Sequence, residues 1–119
     1  MIDFLFKRIK SIGYAFKGAV VLITTEASIK VQFFIAILAT VAGFYYKISS
    51  TEWMLQILTI GLVMSVEGLN TAVEKMADFI HPDYNDKIGR IKDIAAGAVF
   101  ICAIVAIIIG CIIYFPKIF

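Results

Sequence analysis

The sequence has few charged side chains for its length. Charged residues make up 17% of the 119 residues, apolar residues make up 61%, and the mean hydropathy is +0.95. A soluble domain of this size carries more charge and less apolar surface. The composition therefore predicts one integral membrane domain over residues 1–119. The net charge of +2 does not argue for nucleic acid as a partner.

Histidine and cysteine are too few for the common metal and disulfide sites. His81 is the only histidine, and it precedes Pro82, which ends a helix. We therefore interpret His81 as a helix-end residue and not as a metal ligand. Cys102 and Cys111 lie nine residues apart in one apolar segment, where a helix points them to opposite faces. We expect both to be packing residues.

The sequence also lacks a nucleotide-binding P-loop and a cleavable signal peptide. Glycines at 13 and 18 have the outer spacing of a P-loop, but Ala19 and Val20 stand where the motif requires Lys and Ser or Thr. Basic residues near the N-terminus precede an apolar patch that is too short for a signal peptide. We therefore expect no cleavage.

Apolar periodicity predicts one amphipathic helix followed by three membrane spans. Residues 4–27 place apolar side chains on one helical face and lysines on the other, which is typical of a helix that lies in a membrane interface. The alternative for this segment is a core-facing helix of a soluble bundle. The spans are predicted over residues 29–47, 51–72 and 94–115. The predicted fold class is therefore all-α and membrane-embedded.

The distribution of lysine and arginine predicts an orientation. Five of them precede or begin the first span, four lie in or near the second connection, and only Lys47 and Lys117 lie on the other side. The positive-inside rule then places the N-terminus and the second connection in the cytoplasm. We expect an aromatic belt at the outer interface, formed by Tyr45, Tyr46, Trp53 and Tyr114.

An acidic stripe runs along the second predicted span and its continuation. On a helix turning about 100° per residue, Glu67, Glu74 and Asp78 lie within about 20° of one line, flanked by Asn70 and Thr71. The stripe is about 16 Å long. Its apolar end lies at membrane depth, where an acid costs about 2.5–3.5 kcal/mol on insertion scales. A purely structural helix would not carry such a group without a partner, so the stripe indicates a functional site.

The ionisable residues on the predicted cytoplasmic side fit phosphoryl-transfer chemistry. Paired carboxylates such as Glu26 and Glu74 are hard oxygen ligands of the kind that Mg²⁺ takes. Lys92 is suited to offset charge on a transferring phosphoryl group. Glu67 lies deepest in the apolar segment, a position that suits a general base acting on a lipid hydroxyl at the interface.

Other interpretations fit the same residues. Glu74 and Asp78 near a helix end fit a solvated face, and Lys92 with Asp93 fits an interfacial pair. Intramembrane acids also form ion or proton pathways, so a small oligomeric conductor is the alternative function. Three helices are too few to enclose a path alone, and either function therefore requires an oligomer.

Two segments of the chain form a recognisable signature. They are Glu67-x-x-Asn70-Thr71-Ala72-x-Glu74-x-x-x-Asp78 and Lys92-Asp93-x-Ala95-Ala96-x-Ala98. This signature resembles that of the prokaryotic diacylglycerol kinase family of small membrane lipid kinases, and the likeness extends from about Phe4 to the C-terminus. The resemblance implies a homotrimer of three-span subunits, each with an N-terminal surface helix, in the cytoplasmic membrane. It also implies transfer of the γ-phosphate of ATP to a membrane lipid alcohol at sites shared between subunits.

The resemblance implies roles for individual residues. Glu67 matches the catalytic base of the family, and Glu26 and Glu74 match its magnesium-binding glutamates. Asn70 and Asp78 match supporting polar positions. The implied nucleotide contacts, in addition to the two glutamates, are Lys7, Tyr14, Asp83, Tyr84, Asn85, Lys92 and Asp93.

The acceptor lipid stays open between diacylglycerol and undecaprenol. Asn85 stands where the branch that uses diacylglycerol has histidine, and Gln32 stands where it has an acid. Three other segments are more similar to the undecaprenol branch: Glu52-Trp53, Pro82-x-Tyr84 and Phe115-Pro116-Lys117. The family lacks the P-loop and the Gly-rich loop of protein kinases, as this chain does. We therefore expect weak ATP binding that depends on metal, lysines and the basic first helix.

Overall fold

The chain folds into four α-helices. The computed structural model describes residues 1–119, and the helices are α1 (Ile2–Thr25), α2 (Ala27–Tyr45), α3 (Ser50–Ile80) and α4 (Asp86–Ile118). By length and composition, α2, α3 and α4 could each cross a membrane. The predicted all-α architecture with three candidate spans is therefore confirmed.

Helices α2, α3 and α4 pack together, and α1 projects from them. Helix α3 contacts both α4 and α2, and its contact with α4 is the more extensive. The chain measures 50 × 48 × 22 Å. At 1.5 Å per residue, α4 accounts for one of the long dimensions. Three helices packed about 8–10 Å apart cannot account for the other, so α1 must extend sideways from the bundle.

A single residue joins α1 to α2. Glu26 has an extended backbone conformation (φ −96°, ψ 120°), and its N–H donates to the carbonyl oxygen of Leu22. Helix α2 begins at the next residue, Ala27. The chain therefore turns a corner at Glu26, and this corner carries one of the predicted site residues.

The turn between α2 and α3 is closed by a capping box. The side chain of Ser49 accepts from the N–H of Glu52 at 3.2 Å, and the N–H of Ser49 donates to the Glu52 carboxylate at 2.9 Å. Together these bonds satisfy two backbone donors near the start of α3. The turn also contains Lys47, whose φ of 51° is the only positive φ in the chain.

The connection between α3 and α4 has a cap on each side. Helix α3 ends at Ile80, and the N–H of His81 donates to the carbonyl oxygen of Ala77. Helix α4 begins after Asn85, whose side-chain oxygen accepts from the N–H of Lys87 at 2.9 Å. The interpretation of His81 as a helix-end residue is confirmed.

Polar contacts join the helices at the end opposite to the acidic stripe. Gln56 is buried and donates to the carbonyl oxygen of Ala39 at 3.1 Å. Tyr114 donates to the side-chain oxygen of Gln56 and lies 3.2 Å from the same carbonyl. Lys117 on α4 pairs with Glu52 on α3 at 2.6 Å. These contacts fix α2, α3 and α4 relative to one another.

A single chain buries very little of its surface. Only 9 of the 119 residues are buried, and five of those nine form the whole apolar core. Most large apolar side chains on α2, α3 and α4 are exposed. This is the pattern of helices that are covered by lipid or by neighbouring subunits. Cys102 and Cys111 are both free thiols and half-buried.

Candidate active site

Glu67 is the buried member of the acidic stripe. Its exposed fraction is 8%, and Val63 and Thr71, one turn away on either side, are buried as well. The hydroxyl of Thr71 donates to the backbone carbonyl of Glu67 at 3.1 Å, but no group of the chain donates to the Glu67 carboxylate. A sheltered carboxylate without a partner is available to accept a proton from a bound hydroxyl group.

Asn70 holds Glu74, the next acid of the stripe, by a hydrogen bond. Its amide nitrogen donates to the carboxylate of Glu74 at 3.2 Å. Its amide oxygen is buried and has no hydrogen-bond partner. A buried oxygen without a partner costs free energy unless something else satisfies it. The Glu74 carboxylate is therefore held in one orientation, and the amide oxygen of Asn70, one helical turn away, is free to bind another group.

A cleft of about 530 Å³ separates α1 from α3. At one end of the cleft, the Glu26 carboxylate lies 3.1 Å from the ammonium group of Lys75. Towards the other end, Leu22 on α1 lies against Gly68 on α3. The cleft is therefore charged at one end and apolar at the other, and Gly68 directly follows the buried Glu67.

Asp78 and Lys92 form an ion pair between α3 and α4. The interpretation of Lys92 and Asp93 as a pair at the membrane interface stays a prediction. Neighbouring residues on a helix point about 100° apart and do not face each other, so Lys92 reaches across to α3. Asp78 is consequently part of a contact between helices and not only of a solvated face.

A second cavity, of about 380 Å³, lies beside the connection between α3 and α4. His81 Nδ1 bonds to the backbone carbonyl of Asp83 at 2.6 Å, which holds the loop in shape. The ring of Tyr84 lies over Gly89, where an added Cβ would be only 3.3 Å from the ring. Five residues predicted to contact nucleotide line this cavity together: Asp83, Tyr84, Asn85, Lys92 and Asp93.

Other predicted site residues do not converge within one chain. Lys7 and Tyr14 are exposed on α1 and line neither the cleft nor the second cavity. Glu74 does not line the cleft that contains Glu26. The chain has no cluster of three or more His, Cys, Asp or Glu side chains that could hold a metal ion. The magnesium site and the nucleotide contacts of α1 therefore stay predictions.

Sequence reasoning missed Lys75 and Gly68 as parts of the cleft. Both belong to a second face of α3, because Gly68, Ala72 and Lys75 follow one another at i, i+4 and i+7. Small residues spaced four apart allow close helix approach in a membrane. This pattern was visible in the sequence, but nothing in it identified α1 as the helix that approaches.

Comparisons with known proteins identify the family of this chain. The model of the prokaryotic diacylglycerol kinase family matches residues 13–114. The undecaprenol kinase of Bacillus subtilis is 36% identical over 91% of this chain and 88% of its own length. The diacylglycerol kinase of Escherichia coli K12 is 36% identical over 87% of this chain and 85% of its own length. For the diacylglycerol kinase of Haemophilus influenzae, the identity is 32% over 90% of this chain and 92% of its own length. The chain therefore belongs to the prokaryotic diacylglycerol kinase family of lipid kinases.

Proposed function

We propose that the enzyme transfers the γ-phosphate of ATP to the hydroxyl group of a membrane lipid alcohol, with Glu67 as the general base. The observation that carries this proposal is the buried residue Glu67, whose carboxylate has no hydrogen-bond partner in the chain and whose neighbour Gly68 lines the cleft between α1 and α3. Membership of a lipid kinase family supports the reaction class. No comparison favours the alternative of an ion or proton conductor.

In this mechanism the lipid hydroxyl enters the α1–α3 cleft from the bilayer. Glu67 accepts the hydroxyl proton as the lipid oxygen attacks the γ-phosphorus atom. The bond from that phosphorus to the bridging oxygen breaks, and ADP leaves. Lys92 lines the cavity beside the α3–α4 connection, where its charge is suited to bind the phosphate groups. Its ion pair with Asp78 holds it at the junction of α3 and α4.

The residues of the stripe fit Mg²⁺ by their chemistry. The Glu74 carboxylate and the unpartnered amide oxygen of Asn70 are both hard oxygen donors, and Glu26 supplies a second carboxylate. Mg²⁺ usually takes one or two carboxylates and completes its shell with phosphate oxygens and water. When bound, it would neutralise charge on the phosphates. In the single chain Glu26 pairs with Lys75, so metal binding by Glu26 requires this ion pair to open.

Assembly as a homotrimer would complete the site. The acids of one chain do not gather into a group that could hold a metal ion. Helices α2, α3 and α4 also expose most of their apolar side chains. Neighbouring subunits would cover part of this surface and bring further ligands to the stripe. We also assign α1 to the membrane surface, because it has no buried residue and extends sideways from the spans. The N-terminus and the site would then face the cytoplasm of a prokaryotic cell.

The acceptor is tested by supplying both candidate lipids side by side. Relatives named undecaprenol kinase and diacylglycerol kinase are equally similar to this chain, at 36% identity, so similarity does not choose between the two. Purified enzyme in detergent is incubated with radiolabelled ATP, Mg²⁺ and either diacylglycerol or undecaprenol. We expect labelled phospholipid from at least one acceptor. Absence of label in both lipids would contradict the proposed function.

A further inference from the structure

The close approach of α1 to α3 depends on the missing side chain at Gly68. A Cβ atom added there would lie 2.7 Å from Cδ2 of Leu22 and 3.8 Å from its Cγ. The shorter distance is well below van der Waals contact. We propose that Gly68 is a positioning residue. The space beside its Cα, which we call the Leu22 seat, holds the side chain of Leu22 and thereby sets the distance between the corner residue Glu26 and the acidic stripe.

The covalent and hydrogen-bonded path from Leu22 to Glu26 is short. The N–H of Glu26 donates to the carbonyl oxygen of Leu22 at 3.3 Å, across the last turn of α1. Displacing Leu22 therefore displaces the backbone that carries Glu26. On the other side, Gly68 directly follows Glu67 on a continuous helix. The seat thus links the two carboxylates through one packing contact.

No other glycine of the membrane helices has this role between α1 and α3. An added Cβ at Gly61, Gly97 or Gly110 would meet nothing within 4 Å. At Gly43 it would meet Trp53, which lies near the α2–α3 turn, at the other end of the helices. Helix α1 has no buried residue of its own. Apart from its junction with α2, α1 is held against α3 by the Leu22 seat and by the Glu26–Lys75 ion pair. The lysine of that pair is exposed, and ion pairs at an exposed surface contribute little.

A larger side chain at position 68 should displace α1 further from α3. In Gly68→Ala the new methyl group meets only the terminal methyl of a flexible side chain, so rotation of Leu22 can relieve the clash. In Gly68→Val two further methyl groups occupy the seat, and α1 has to move away. A displacement of about 1 Å in a catalytic site can cost about 100-fold in rate.

The kinetic test rests on the proposed function. It measures kcat and the KM for the lipid in wild type, Gly68→Val, the double variant Leu22→Ala/Gly68→Val, and the control Gly61→Val on the same helix. For Gly68→Val we expect kcat to fall by about 100-fold, with an unchanged KM for the lipid and an unchanged thermal midpoint and oligomer size in detergent. The double variant should recover most of the lost rate, and Gly61→Val should keep wild-type kinetics.

Three kinetic outcomes would overturn the inference. They are wild-type kcat in Gly68→Val, failure of Leu22→Ala to restore the rate, and an equal loss in Gly61→Val. A rise in KM alone would also overturn it, because Gly68 would then only line the acceptor cleft.

A distance measurement tests the seat independently of activity. Spin labels at positions 20 and 69, which are exposed on α1 and α3, are introduced after both cysteines are replaced by alanine, and labelled protein is diluted with unlabelled protein. We expect Gly68→Val to lengthen the distance and Leu22→Ala to reverse the change. An unaltered distance would overturn the inference, even if wild-type enzyme labels no lipid and the proposed function fails.

Discussion

Replacing Glu67 by glutamine removes the proposed proton acceptor and keeps the shape of the side chain. Glu67 is 8% exposed as a residue, and its carboxylate receives no hydrogen bond from the chain. The substitution therefore breaks no contact within the subunit. An amide is not basic enough to accept a proton from an alcohol, so the substitution isolates the chemical step from packing.

The expected loss follows from the role of a general base. Such groups typically contribute about 10²- to 10⁴-fold in rate, which corresponds to about 2.7–5.4 kcal/mol in the activation barrier. Stability should change by less than about 1 kcal/mol, because glutamine fills the same volume and burying a neutral amide is no costlier than burying a carboxylate. The lipid-labelling assay reports the rate, and thermal unfolding with size-exclusion chromatography reports fold and assembly.

Glu52→Gln is the matched control, since it makes the same chemical change on the same helix. Glu52 lies at the opposite end of α3 and pairs with Lys117 at 2.6 Å. We expect kcat near wild type and a small loss of stability, because one partner of an ion pair at the protein surface is removed. Full activity in Glu67→Gln would remove Glu67 from the mechanism. A comparable loss of rate in Glu52→Gln would show that any charge change on α3 impairs the enzyme.

Three further predictions concern assembly and the α2–α3 turn. Mixing Glu67→Gln subunits with Glu26→Gln subunits should restore part of the activity if sites are shared between chains; activity that stays at the level of the separate variants would contradict shared sites. Gly43→Ala should lower the free energy of unfolding by about 1–3 kcal/mol, because its Cβ would lie 2.6 Å from the indole ring of Trp53; an unchanged midpoint in detergent denaturation would refute this packing. Lys47→Gly should raise stability by about 0.5–1 kcal/mol, because the φ of 51° is strained for an L-residue; the same unfolding assay would show an unchanged or lower value if the turn is not strained.

Features that depend on neighbouring residues could be read from the sequence. The apolar runs predicted three candidate spans, since a helix satisfies its own backbone within a bilayer. The period of the helix placed Glu67, Glu74 and Asp78 on one stripe, and the signature around them indicated the correct family. All of these inferences use local hydrogen bonds, local hydropathy or the order of residues.

Contacts between helices were decided by the tertiary structure alone. Lys92 pairs with Asp78 and not with its neighbour, and Glu26 faces Lys75 on α3. The apolar and small residues of a helix indicate that some partner approaches, but they do not encode which helix it is or at what height it packs. The single-residue corner at Glu26 and the space above Gly68 set that height for α1. For this reason the sequence by itself determined the helices, the stripe and the family, whereas only packing determined which charged groups meet.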